Sequence, residues 1–153
     1  LNELIEIIDV ICEFGLYEDL TIDNKEETLE QSLVRLYSYT FELHPKSSES
    51  DESNYLDFDK NLFPNVVENV SLNLADFGYY HTVLNANEVS QNVENGIGDA
   101  VDDLSDIIYD LLEVKWRIEK NSLADGLWYF QFIFQAHTKE HLINLLNYLL
   151  FKK

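Results

Sequence analysis

Residues 99–113, DAVDDLSDIIYDLLE, restrict the fold more than any other stretch of the chain. At about 3.6 residues per turn, the carboxylates Asp99, Asp102, Asp103, Asp106, Asp110 and Glu113 gather on roughly a third of a helical circumference. Val101, Leu104, Ile108, Leu111 and Leu112 take the opposite side. This is the pattern of an amphipathic helix with a wide apolar stripe. Such a helix must bury one side. Whether the acidic side meets water or a second layer of protein decides what its carboxylates can do.

The remaining periodicities are also helical. Leu4, Ile5, Ile8, Ile11 and Cys12 recur at helical spacing over residues 3–14, and Gly15 is placed to end that helix. Asp23 with Glu26 three residues later reads as a capping box opening a second helix. Leu29, Leu33, Leu36, Tyr37, Thr40 and Phe41 continue its period until His44-Pro45 stops it. Residues 46–54, KSSESDESN, carry no apolar side chain and read as a long acidic surface loop. Phe63, Val66, Val67, Val70 and Leu74 predict a third helix within residues 58–77, with Pro64 in its first turn and Gly78 at its end.

Residues 77–96 lack a sustained period and, rich in Asn and Gly, are expected as loop, with Tyr79, Tyr80 and Val83 tucked inward and His81 on the surface. The fourth helix is expected over residues 97–119. Asn121 and Ser122 then offer a break and a new N-cap. A fifth follows from Leu123 to the end, apolar almost all round in its first half, which predicts the most buried helix of the set. The expected fold class is therefore all-α, a single antiparallel bundle of about five helices.

At 153 residues and 46% hydrophobic, residues 1–153 suffice for one domain with a real core and are too few for two ordinary ones. A formal net charge of -19 forfeits the counterion release that drives binding to nucleic-acid backbones, so no nucleic-acid partner is expected. It leaves open a self-repelling soluble surface, cation binding, a basic and otherwise unidentified protein partner, or acidic mimicry of nucleic acid. Cys12, the single cysteine, excludes an internal disulfide and a thiolate cluster, and its place on an apolar face predicts a core residue. No uninterrupted apolar run reaches the roughly 18 residues of a membrane span, and cytoplasm is the default expectation. The chain starts at Leu1 and contains no Met, so a native start and a removed leader upstream are compatible with it.

His137 and His141 stand four apart on the fifth helix and share a face, a spacing compatible with one metal ion. Leu127, Phe130, Phe134, Leu145 and Tyr148 share that face too, so the imidazoles point toward the core and need hydrogen-bond partners there. The acids of the fourth helix, Asp106 and Asp110 foremost, can serve only if that helix lies between two layers. Asp103, Asp106, Asp110, His137 and His141 are accordingly the candidate metal ligands. Thr138 stands where a zincin helix requires Glu, and neither Glu-x-x-His of a di-metal carboxylate bundle is present.

Glu26, Glu27 and Glu30 as EExxE, with Asp103 and Asp106 as DxxD, resemble the magnesium-binding carboxylates of all-α nucleotide pyrophosphatases, but a third helix and a long loop separate the two halves. No Gly-rich phosphate loop or nucleophile elbow occurs. With no catalytic or cofactor-binding motif, a non-enzymatic interaction or structural module is the leading expectation. The alternatives are a metal-dependent hydrolase taking Mg, Mn or Zn at the five residues above, and the nucleic-acid mimic.

Asp103-Leu104-Ser105-Asp106-Ile107 with Asp110-Leu111, followed by the aromatic run that ends in His137-x-x-x-His141-Leu142, resembles a bacterial family of helical domains known as domain of unknown function 5063. In that family a DLADIYQDL-like helix precedes an HWGQHL-like one. Leu33-x-x-Leu36-Tyr37 up to Pro45 is similar to its second helix, so the resemblance covers most of the chain. It implies a helical fold and brings no activity with it.

Overall fold

The computed structural model describes residues 1–43, 55–89 and 92–152. The helices are α1 (Asn2–Leu16), α2 (Lys25–Tyr39), α3 (Val66–Asn73), α4 (Ala100–Lys120), α5 (Leu123–Ile133) and α6 (Lys139–Phe151), with a π-helical turn over Phe134–Thr138. That turn joins α5 to α6 without a break, so Leu123 to Phe151 is one long helix. Between α3 and α4 the chain forms an antiparallel hairpin of β1 (Tyr79–Val83) and β2 (Asn95–Asp99), with Tyr80 opposite Gly98 and His81 opposite Ile97. The structure is thus mostly helical rather than purely all-α.

The hairpin corrects the expectation of a loop there. Residues 79–83 alternate exposed and half-buried, a period of two too short to register beside the helical signals. Of the three residues expected inward, only Tyr80 turns in; Tyr79 and Val83 are exposed, as is His81. Helix α4 consequently starts at Ala100 rather than 97, where the Asp99 side chain accepts a 2.9 Å hydrogen bond from the Val101 N–H and caps the first turn.

Helix α4 is the centre of the structure. It packs on α1 and α3 on one side and on α5 and α6 on the other. Leu104, Ile107, Ile108 and Leu111 are fully buried, each worth about 1.5–3 kcal/mol relative to exposure. The expectation that the last helix would be most buried is overturned, because its aromatic residues are spread around the helix and only part of them can face the core. Phe130 and Phe134 are buried, whereas Trp128 and Phe132 stack on each other at the surface, 5.7 Å between centroids.

Local signals were met unevenly. Ser122 caps α5 by accepting a 3.1 Å bond from the Asp125 N–H, as expected. The capping box at Asp23 does not form; α2 opens at Lys25 behind Asn24, whose φ of 53° is left-handed and whose side chain makes no cap bond. That helix ends at Tyr39, while the stop at 44–45 and the acidic loop 46–54 lie outside the described residues. Pro64 precedes α3 rather than entering it, because a short 3-10 turn, Lys60–Leu62, takes up the start of the expected third helix. Gly15 does not end α1 but sits inside it, where a Cβ would meet Val66 Cγ1 at 2.9 Å and Ile108 Cδ1 at 3.1 Å. It sets the spacing of α1 from α3 and α4.

Gly126 plays the same part between α5 and α4. A Cβ there would overlap the Ile118 side chain and lie 3.0 Å from the Ile118 N and 3.1 Å from the Val114 O. Gly126→Ala is expected to destabilise by about 1–3 kcal/mol in urea unfolding, overpacking outweighing the better helix propensity of Ala. Gly78→Ala, with open space around its Cβ, is expected to stay within about 0.5 kcal/mol of wild type. Cys12 is buried and its thiol is pushed far up by burial first and by the nearby Asp9 charge second. Thiol reagents at mildly alkaline pH are therefore expected to label Cys12 only as fast as the protein unfolds.

Candidate metal centre

The acidic stripe of α4 is shared between solvent and the α5–α6 layer. Asp102 lies on the open edge; Asp103 and Asp110 are buried against the long helix. The two run antiparallel, which pairs residues in reverse order along them. Arg117 bonds Asp125 at 3.3 Å near one end, Asp110 meets His137 at 2.8 Å, and Asp103 meets His141 at 2.8 Å. Arg117 also holds Glu113 at 2.8 Å and lies over the Tyr129 ring, 4.2 Å from its centroid.

Each imidazole presents Nδ1 to a buried carboxylate and Nε2 to the other imidazole. The two Nε2 atoms are 3.1 Å apart, and Asp106 Oδ2 stands 3.5 Å from His141 Nε2. Ligand atoms of Asp106, His137 and His141 thus converge within 4.8 Å of one another, forming the metal-sized group found among the described residues. An ionised carboxylate only accepts, so each Nδ1 carries the proton it donates and each neutral ring has its Nε2 lone pair free. Two such lone pairs facing at this distance repel unless a cation lies between or beside them, either a proton on one ring or a metal ion.

Both carboxylates are themselves held. The Thr138 hydroxyl donates to Asp110 Oδ2 at 2.7 Å, on the same oxygen that accepts from His137. The Tyr80 hydroxyl, reaching over from β1, donates to Asp103. Burial pushes the Asp110 carboxyl above its ordinary value, opposed by the bonds from His137 and Thr138. His141 is raised, first by its bond to Asp103 against the opposing effect of burial, then by the charge of Asp106. The Tyr80 phenol is raised by burial and then by Asp103, so it remains a donor. Among the described residues every buried side-chain nitrogen or oxygen has a partner.

The π-helical turn ends on Thr138, and within it lies His137, so it is there that adjacent residues of one helix reach one carboxylate. Such wide turns occur mostly as single-turn insertions in α-helices, frequently at functional sites. The site is not sealed. The His137 side chain is 42% exposed, His141 24% and Asp106 40%, and a cleft of about 310 Å³ lined by Phe58, Lys60, Asp106, Tyr109, Asp110, Glu113 and His137 opens beside them.

The five residues singled out in the sequence therefore stand together, though in two roles. Asp106, His137 and His141 offer atoms to a common point, while Asp103 and Asp110 fix the rings. Glu26 is tied instead to Lys152, and Glu27 to Gln31, and neither joins Asp103 or Asp106 in a metal-sized group among the described residues. Sequence reasoning turned Tyr80 inward but missed its bond to Asp103, and it missed the part played by Thr138. The only sequence signals for them were a short alternating run facing a glycine-containing one, and a hydroxyl directly after His137. No family model, no curated protein and no solved structure matches this chain.

Asp110→Ala would leave Thr138 without its principal acceptor and His137 Nδ1 unpaired. It is expected to cost about 1–3 kcal/mol in thermal or urea unfolding of the metal-free protein. Asp102→Ala on the open edge of the same helix is expected to change stability by no more than about 0.5 kcal/mol.

Proposed function

We propose that this domain binds one divalent ion of the zinc class through His137 Nε2, His141 Nε2 and Asp106, and uses it to activate water for hydrolysis in the adjoining cleft. The observation that carries the reading is the convergence of two Nε2 atoms on rings whose Nδ1 atoms are both committed to carboxylates. Metal–nitrogen bonds of about 2.0–2.1 Å in tetrahedral geometry place two nitrogens roughly 3.3 Å apart, close to the 3.1 Å between these rings. Carboxylate-held histidines are the usual arrangement around zinc, where the carboxylate sets the tautomer and makes the ring more basic.

Two imidazoles and one carboxylate suit zinc and its transition-metal neighbours better than magnesium, which prefers oxygen. Three protein ligands with a solvent-facing side match catalytic rather than closed structural centres, which use four. A bound ion of this kind lowers the pKa of its water toward neutrality. Besides its acids and His137, the cleft is lined by two further polar residues, Lys60 and Tyr109. Lys60 is exposed, whereas the Tyr109 hydroxyl is committed to the Phe63 carbonyl at 2.9 Å.

A second reading, a non-enzymatic interaction module, is favoured by the stacked and half-exposed Trp128 and Phe132, since large aromatic surfaces of this kind are enriched at protein contacts.

Calorimetric titration of chelator-treated protein with zinc is expected to show one ion per chain. At a hundred times the dissociation constant the ion should raise stability by about 2.7 kcal/mol. His137→Ala and His141→Ala should each abolish that gain, while His81→Ala keeps it. A screen of ester, amide and phosphoester substrates with the zinc-loaded protein then tests hydrolysis. Absence of zinc binding overturns the reading, and binding without turnover of any class restricts it to metal binding.

A further inference from the structure

The hairpin is mostly exposed, and an isolated two-stranded hairpin is marginal in water. It is pinned to the helices at a few points. The Ala100 N–H donates to the Gly78 carbonyl at 3.1 Å, the Gly78 N–H donates to the Tyr148 hydroxyl at 3.0 Å, and Tyr80 packs on Tyr148 with 5.5 Å between centroids. A further polar anchor is the Tyr80 hydroxyl on Asp103. Tyr80 lies opposite Gly98, which has no side chain; a Cβ there would overlap the Tyr80 ring. The ring occupies that space, and its hydroxyl reaches the oxygen of Asp103 that His141 does not use.

We infer that Tyr80 is a positioning residue of the metal centre, the hairpin being the clip that delivers its hydroxyl to Asp103 and so fixes the ring and tautomer of His141. This rests on the metal reading above. The two histidines are then supported alike, each by a carboxylate of α4 that is held by a hydroxyl. For His137 that hydroxyl is Thr138, which the helix itself supplies. For His141 it arrives instead through the hairpin, from a residue far away in the sequence. Partners one step beyond the ligands of a metal typically change its affinity by about 10–100-fold when removed.

The test compares wild type, Tyr80→Phe, Gly98→Ala and the exposed-neighbour control Tyr79→Phe, each titrated with Co²⁺ and followed by its visible absorption. A parallel long-range ¹H–¹⁵N NMR spectrum reports the His141 tautomer in the metal-free proteins. Wild type and Tyr79→Phe should bind alike, with His141 protonated on Nδ1. Tyr80→Phe, which keeps the ring and loses only the hydroxyl, should bind about 10–100-fold more weakly and show mixed His141 tautomers. Gly98→Ala should do the same by pushing the ring aside. If wild type gives no cobalt spectrum, the metal reading falls and this inference with it. If wild type binds and Tyr80→Phe binds equally well with an unchanged His141 spectrum, the positioning role alone is overturned. A uniform loss of thermal stability without either spectroscopic change also overturns it, leaving Tyr80 a packing residue.

Discussion

Asp103 and Asp110 are carboxylates enclosed between helices, and moving such a group out of water without partners costs several kcal/mol. That penalty dictates much of the layer that covers them. The helix laid over α4 must present donors at the matching heights, and it does so with His137, Thr138 and His141. The apolar contacts on the other side of α4 could tolerate other large aliphatic residues. The polar contacts could not, because a missing donor would leave a charge stranded.

Satisfying the acids creates a second demand. Once both Nδ1 atoms are spent on carboxylates, the two Nε2 atoms are forced toward each other with a third acid, Asp106, alongside. A positive charge relieves the arrangement. The strongly negative chain favours the accumulation of cations around it, and the partly exposed histidines leave a path by which one can enter. The same geometry also explains why the long helix is less buried than its composition foretold, since one side of it is given to a polar, solvent-touching cluster and another to surface aromatics.

Irregular backbone appears where the site needs it. The π-helical turn lies at the His137–Asp110 contact, and the hairpin supplies a hydroxyl at the His141–Asp103 contact. Elsewhere the close helix approaches are made in the ordinary way, by glycines at positions 15 and 126. Departures from regular helix are thus concentrated where chemistry is proposed, which is the pattern expected when local rules yield to a site.

The amino-acid sequence by itself determined the helices, because an apolar stripe repeated every 3.6 residues can be buried only as a helix face. It placed α1, α2, α4 and the long α5–α6 helix, and it singled out Asp103, Asp106, Asp110, His137 and His141, since acids and histidines at helical spacing fall on one face wherever the helix packs. Caps and ends were legible only in part: Ser122 caps α5, but α2 opens behind Asn24 rather than on Asp23, and Gly15 stays inside α1, where it lets that helix pack closely on α3 and α4. Tertiary structure alone decided that Asp103 and Asp110 on the acidic face of α4 are covered while Asp102 stays open to solvent, because a helical wheel shows which residues share a side but not what lies opposite. It alone divided the acids into those that hold rings and the one that faces the common point. And it alone brought Tyr80 to Asp103, a contact made through a strand pairing whose five-residue alternation is too short to stand out in a chain dominated by helical periods.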